Sequence, residues 1–200
     1  MARYLCGMAG LAAFAVATAV FAQAPADHIR GRVKSLTGDT LLVQEKSGKP
    51  VAIKLSEHWS VVVVVPVDPS AIIPGSFIGT SEVDKPDGTG RSLEVHVFPP
   101  GVKIGEGHYP WDKKPHSMMT NGTVGKVVAS AKGRSLDVAY PGGEKHILVP
   151  PNVPIVQITP GKRELVAPGA KVFIIPTKLA DGTLGADTLV VVSNGAAPPM

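Results

Sequence analysis

The chain has 200 residues and a net charge of +4 at pH 7, from 20 basic and 16 acidic residues that are spread along the sequence. This charge density is too low for a protein that binds polyanions, and it argues against nucleic-acid binding. The only cysteine, Cys6, lies near the N-terminus, so the rest of the chain has no disulfide, no cysteine nucleophile and no thiolate metal ligand.

The N-terminal residues predict a secretory signal peptide. Arg3 provides the positive start, residues 5–21 are apolar and rich in alanine, and small residues precede a cleavage point after Ala22. Cleavage after Ala24 is an alternative, and so is an uncleaved anchor helix, although the apolar run is shorter than the ~20 residues that a spanning helix needs. We therefore expect residues 1–22 to be removed and the mature chain to be periplasmic or secreted, without a transmembrane span.

The remaining sequence contains an internal duplication. Residues 48–98 align with residues 142–192 without a gap, and upstream, after a small change in length, Gly31 aligns with Gly122. The aligned identities include residues that are typical of turns: Pro66 with Pro160, Pro74 and Gly75 with Pro168 and Gly169, and the Asp-Gly-Thr at 87–89 with that at 181–183. The sequence therefore predicts two copies of one small domain.

Each copy predicts a set of short β-strands. Between the turns lie runs rich in Val, Ile and Leu, and none shows a helical period over ten or more residues. Five to six strands in so small a repeat favour a closed barrel of OB or SH3-like type, because closure removes the sheet edges. In the first copy the runs are 29–33, 40–43, 51–55, 61–65, 76–80 and 93–98.

The predicted fold class is all-β, with two tandem small β-barrels after the signal peptide. The first barrel repeat spans residues 28–98 and the second spans residues 120–193. Residues 99–119 form a linker without a counterpart in either repeat, and the Pro-rich tail at 194–200 is expected to be disordered. Domains of this size are marginally stable alone, so we expect the two copies to pack on each other or to share strands.

Three segments of the first repeat carry a resemblance to a known family: GRVKSLTGDTLLV, IIPGSFIGT and DGTGRSLEVHVF. They resemble the OB-like domain of unknown function that recurs, often duplicated, in exported proteobacterial proteins. The resemblance covers most of the mature chain and implies an OB-like fold and a periplasmic location, but no catalytic residue. Members of this group are often called metal ABC transporter permeases, whereas this sequence lacks the several membrane helices that a permease requires.

The linker concentrates residues that bind metal ions in other proteins. His108, Asp112 and His116 recur at every fourth position, which on a helix would place them on one face. Pro110 and Pro115 interrupt such a helix, so the site would have to form in a loop. Imidazole and carboxylate ligands, with nearby methionines, suit zinc or copper. One hypothesis is therefore a periplasmic accessory protein that handles zinc or copper.

The aromatic residues of the linker support a second hypothesis. Tyr109 and Trp111 would pack the linker onto the barrels or contact a partner, while His108 and Asp112 would make ordinary hydrogen bonds. The sequence contains no Gly-x-Ser-x-Gly, His-Glu-x-x-His, Ser-x-x-Lys or phosphate-binding glycine motif, so we expect no enzyme.

The leading functional hypothesis is a non-enzymatic periplasmic binding or scaffold protein without a resident cofactor. Its partner would be an envelope protein or a polymer such as an oligosaccharide or peptide. Nucleic acid is not expected, because the signal peptide predicts export and the sequence offers few aromatic residues for base stacking and no strong basic patch.

Overall fold

A computed structural model describes residues 27–192 of the chain. The described part consists of strands and two short 3-10 helices, which confirms the predicted all-β class. The predicted signal peptide at 1–22 and the predicted tail at 194–200 lie outside the described residues. Within 27–192, no helix is long and apolar enough to cross a membrane.

The strands follow one another with mostly short connections, and the two 3-10 helices, Pro69–Ala71 and Arg163–Leu165, occupy aligned positions in the two repeats. The strands of the described part are β1 (Ile29–Thr37), β2 (Thr40–Glu45), β3 (Pro50–Pro66), β4 (Phe77–Asp84), β5 (Gly90–Val97), β6 (Gly107–Trp111), β7 (Ser117–Ser130), β8 (Gly133–Tyr140), β9 (Gly143–Val149), β10 (Ile155–Gly161), β11 (Lys171–Ile174), β12 (Thr177–Lys178) and β13 (Leu184–Val192).

The first hairpin shows how the sequence pattern produces these strands. Gly38, in the turn between β1 and β2, has a φ of 58°, a conformation that favours glycine. Along β2, Leu41 and Val43 are fully buried, while Leu42 between them is only partly buried. This alternation is the two-residue period that places successive side chains on opposite faces of a strand.

The strand pairings connect all the strands into one mixed sheet that closes into two circuits of five strands. The first circuit runs through β1, β2, β3, β13 and β11 and returns to β1. The second circuit runs through β7, β8, β9, β5 and β4 and returns to β7. Each circuit takes three strands from one sequence repeat and two from the other. The boundaries predicted at 28–98 and 120–193 therefore mark sequence repeats that share strands.

Each circuit encloses its own apolar core. In the first core, Ile53 of one repeat and Leu189 of the other are fully buried. In the second core, Ile78 and Ile147 are likewise buried and come from different repeats. Because each core combines residues of both repeats, neither repeat keeps a complete core without the other.

The two circuits are joined by an antiparallel pairing between the C-terminal part of β3 and β10. In this pairing Val64 lies opposite Ile158, which is its aligned counterpart in the second repeat. An approximate twofold axis therefore passes between these two residues. Val64, Val156 and Ile158 form a third buried apolar cluster at this junction.

The two repeats differ in the strand at the junction. β3 is one strand of 17 residues, whereas the aligned part of the second repeat is divided into β9 and β10. The interruption coincides with Pro150, Pro151 and Pro154, and the first repeat has no proline at the aligned positions. Proline has no backbone N–H to donate to a sheet, so it interrupts the strand.

The segment predicted as a linker, 99–119, is partly built into the sheet. It contains β6 and the start of β7, which pair in antiparallel fashion with Tyr109 opposite Met119. Pro110 lies inside β6 without breaking it. Among the strands of the described part, β6 pairs with β7 alone, so its proline does not have to donate to a second neighbouring strand.

Candidate functional site

A groove of about 410 Å³ lies at the junction of the two circuits. Val62 of β3 and Ile158 of β10, the strands that join the circuits, both line it. Phe173 and Val190 line the groove from the first circuit, and Met119 lines it from β7 of the second. The groove is therefore formed by the two repeats together.

Aromatic side chains from the segment predicted as a linker complete this groove. Tyr109 and Trp111, which the sequence predicts to mediate packing or contacts, both line it, with ring centroids 6.0 Å apart in an edge-to-face arrangement. The Trp111 ring lies 4.2 Å from the imidazole of His28, which in turn lies 5.6 Å from the ring of Phe173. These contacts hold the Trp111 ring against the first circuit, and Tyr109 packs against Trp111.

A small hydrogen-bond network fixes the position of Tyr109. The side-chain amide of Asn121 donates to the Tyr109 hydroxyl over 2.8 Å and to the backbone oxygen of Gly105 over 2.9 Å, while the Tyr109 hydroxyl donates to the same Gly105 oxygen. Burial raises the pKa of the Tyr109 hydroxyl, which keeps it protonated. At Gly79 a Cβ atom would lie 2.4 Å from the Asn121 amide oxygen, so only glycine leaves room for this network.

Asp112 ties the segment that carries β6 to the first circuit. The Arg30 guanidinium donates two hydrogen bonds to its carboxylate, at 2.9 and 2.7 Å. The Nδ1 atom of His28 lies 3.0 Å from the same carboxylate. The hydrogen bonds from Arg30, followed by that from His28, hold the pKa of Asp112 well below its usual range. Asp112 is thus an ionised anchor for the aromatic lining of the groove.

His108 contacts a buried carboxyl group inside the second circuit. Its Nδ1 atom lies 2.8 Å from the Thr120 hydroxyl and 3.4 Å from a carboxyl oxygen of Glu82, and its ring stacks on Tyr140 with centroids 5.9 Å apart. The Thr120 hydroxyl donates to Glu82, whose side chain is fully buried. Burial raises the pKa of Glu82 to about 8 and lowers the pKa of His108, so both groups favour their neutral forms.

The three residues predicted to bind a metal ion have separate surroundings. His108 faces Glu82 and Thr120, and Asp112 binds Arg30 and His28. His116 is exposed, in the turn before β7, with a φ of 58°. Within residues 27–192, no three His, Cys, Asp or Glu side chains are grouped to hold a metal ion. Zinc or copper binding by these residues stays a prediction.

A second buried polar cluster was not found by sequence reasoning. Glu94 forms an ion pair of 2.6 Å with Lys113, and its other carboxyl oxygen lies 3.6 Å from Nε2 of His96. Both carboxylate and imidazole are almost completely buried, and burial lowers the pKa of His96. The available signal was the alternation of Glu94 and His96 with valines along a predicted strand, a pattern that is equally typical of a solvated strand face.

Comparisons with protein-family models, with curated proteins and with solved structures give no match to this chain. The resemblance to the duplicated OB-like domain of exported proteins therefore stays a prediction, and the function has to be argued from the geometry of the groove.

Proposed function

We propose that this chain is a non-enzymatic binding protein that holds a small, largely apolar molecule in the groove between its two five-strand circuits. The observation that carries the proposal is the groove itself, which has a volume of about 410 Å³ and is lined mainly by aromatic and aliphatic side chains. Small-molecule sites are typically clefts of ~300–1,000 Å³ with an apolar lining and a few polar groups that orient the ligand. Here Asn121 and the Tyr109 hydroxyl are such groups.

The two circuits correspond to two small OB-like barrels that have exchanged strands, and the predicted signal peptide at 1–22 places the protein in the periplasm or outside the cell. The sequence favours an envelope protein or polymer as the partner. The groove favours a small molecule instead, because its volume and its largely apolar lining are those of a small-molecule site.

The proposal is tested with a neutral fluorescent probe, N-phenyl-1-naphthylamine. The chain has two tryptophans, so the Trp59→Phe variant leaves Trp111 in the groove as the only one. Titration of this variant with the probe should produce saturable energy transfer from Trp111 to the probe. Energy transfer reports binding in the neighbourhood of Trp111, and substitutions in the lining then show whether the groove is the site.

Matched substitutions at exposed isoleucines control for folding and for unspecific binding. Ile175 is 53% exposed and lines the groove, whereas Ile73 is 57% exposed and does not belong to the lining. Ile175→Asp should weaken probe binding by roughly tenfold or more, since it places a charge in an apolar site. Ile73→Asp should leave binding unchanged. No energy transfer, or equal effects of the two substitutions, would refute the groove as the binding site.

A further inference from the structure

A cleft with a basic lining lies on the outer surface of the first circuit. It has a volume of about 530 Å³, and four of its lining residues are cationic, whereas Glu45 is the only acidic one. The cationic residues are Arg30, Arg32, Lys46 and Lys171. Arg32 pairs with Lys171 of β11 on one side and with Gln44 of β2 on the other, so the cleft follows the outward face of three adjacent strands.

The charges of this cleft are only partly compensated by the protein. Arg30 binds Asp112, and the Arg32 guanidinium donates to the backbone oxygen of Gly169 over 3.0 Å. Within residues 27–192, neither Arg32, Lys46 nor Lys171 forms an ion pair with a carboxylate. Like charges held close together without counter-charges repel each other, and a bound anion relieves this repulsion.

The duplication shows that the fold does not require these cations. In the first circuit Lys171 pairs with Arg32. At the aligned positions of the second circuit, Phe77 pairs with Thr123 in the same register. The same position of the strand ladder thus accepts a neutral pair. The fold therefore does not require the basic pair of Arg32 and Lys171, which is a specific feature of the surface of the first circuit.

The basic cleft adjoins the apolar groove. Arg30 lines the cleft, and its guanidinium carbon lies 5.1 Å from the ring centroid of Phe173, which lines the groove. The Arg30–Asp112 ion pair therefore stands at the boundary between an aromatic site and a cationic site. A molecule with an apolar body and one anionic end matches this arrangement in shape and in charge.

We propose that the ligand of the groove is a single-chain anionic amphiphile whose hydrocarbon chain lies in the groove and whose anionic group binds at the basic cleft. This inference rests on the proposed function. Arg32 and Lys171 bind the anionic group directly, while Arg30 remains paired with Asp112 and positions the boundary. The head group is recognised by charge, so a carboxylate and a phosphate monoester are both accepted.

The test uses three amphiphiles with the same dodecyl chain and different head groups, each below its micelle-forming concentration. Dodecyl phosphate is anionic, dodecyl maltoside is neutral and dodecyltrimethylammonium is cationic. Each displaces N-phenyl-1-naphthylamine from the Trp59→Phe protein. We expect the anionic compound to displace the probe at roughly tenfold lower concentration than the neutral one, because it gains two or three charge-assisted contacts. The cationic compound should be the weakest competitor. The preference should shrink at high salt, since the contacts are partly exposed.

Charge-removing variants separate this inference from the proposed function. Arg32→Gln with Lys171→Gln should abolish the preference for the anionic compound and leave displacement by the neutral one unchanged. Lys126→Gln with Lys132→Gln removes the same net charge from exposed positions of the second circuit and should change neither. If all three compounds displace the probe equally, or if the preference for the anionic compound survives the first double variant, the proposed anionic head group is wrong. The groove then remains the binding site. Failure of every probe to bind overturns both.

Discussion

The two circuits share one pattern of strand pairing and differ in where they place polar residues. At one ladder position of the first circuit, Ile29 pairs with Ile174, and both are buried. At the aligned position of the second circuit, Thr80 pairs with Thr120, and both are again buried. The first circuit has an apolar interior and a basic outer cleft, whereas the second circuit buries hydroxyl, carboxyl and imidazole groups.

The comparison shows that the fold does not need the polar groups that the second circuit buries. Burial of a polar group costs free energy unless its hydrogen bonds are satisfied. In the second circuit, one carboxyl oxygen of Glu82 and both ring nitrogens of His96 have no hydrogen-bond partner among the described residues. The aligned positions of the second repeat hold Pro176 and Val190. Since the fold accepts apolar residues at these positions, the unpaired polar groups of the second circuit cost free energy of folding without being required by the fold.

The largest expected effect concerns Glu82 and the dependence of stability on pH. Burial raises the pKa of Glu82 from its ordinary value of 4.5 to about 8 in the folded protein. Between these values the folded state binds one proton more than the unfolded state, so this group lowers the free energy of unfolding as pH rises. The slope is up to about 1.4 kcal/mol per pH unit, which amounts to several kcal/mol in all.

Glu82→Gln should remove this contribution, because the amide has the shape of the acid and does not ionise. Urea unfolding at pH 5, 6, 7 and 8 measures the slope. The lowered pKa values of His96 and His108 act in the opposite direction, so the difference between variant and wild type is the quantity to compare. Glu144→Gln, at an exposed glutamate of the same circuit, should keep the wild-type slope. Parallel slopes for wild type and Glu82→Gln would show that Glu82 is not held neutral.

The sequence predicts the strands and turns of both circuits better than it predicts which strands pair with each other. Leu41 and Val43 show the two-residue period of a strand, and the aligned Pro-Gly and Asp-Gly-Thr segments mark the turns. Alternation determines which face of a strand is buried, but it does not determine which strand lies beside it. The exchange of strands between the repeats is therefore absent from the pattern, although the small size of each repeat favours it.

The groove could be predicted only in part for the same reason. Tyr109 and Trp111 stand out because they are aromatic residues in a segment outside the repeats. Phe173 and Ile158 lie in ordinary apolar strands, so nothing local distinguishes them from core residues. The sequence does not predict β6, because its proline is typical of a loop. The proline is tolerated in β6 because this strand lies at an edge of the sheet.

An intermediate effect is expected at the contact that connects the first circuit to β6. Asp112→Asn removes the ionised partner of Arg30 and should lower the free energy of unfolding by about 1 kcal/mol at pH 7, a value reduced by solvent because Asp112 is 43% exposed. It should also weaken binding of the fluorescent probe, since Trp111 loses its anchor. Because the pKa of Asp112 is lowered in the folded protein, its contribution is fully present above about pH 4 and decreases progressively as the pH falls toward the lowered pKa.

Unfolding curves at pH 7 and pH 3 test this contribution, because the difference in free energy of unfolding between wild type and Asp112→Asn should be largest at pH 7 and smaller at pH 3. Asp39→Asn is the matched control, because the only ion pair of Asp39 among residues 27–192, with Lys54, is long at 3.9 Å and exposed on both sides. A difference between Asp112→Asn and wild type that stays the same at both pH values would show that the carboxylate charge is not what ties the two parts together.

The smallest expected effect lies in the turn before β7 and also tests the metal hypothesis. His116 is the only non-glycine residue with a positive φ among residues 27–192. Glycine adopts this conformation without the steric cost of a Cβ atom, but it also gains freedom in the unfolded chain, so His116→Gly should raise the free energy of unfolding by less than about 1 kcal/mol. The same substitution at His58, inside β3, should lower the free energy of unfolding by a similar amount, because glycine is unfavourable within a strand.

The same variant tests the zinc site. If His116 joined His108 and Asp112 in such a site, zinc would raise the melting temperature of the wild type and not that of His116→Gly. Because Asp112 is already bound by Arg30 and His28, we expect zinc to leave both melting temperatures unchanged relative to buffer with a chelator.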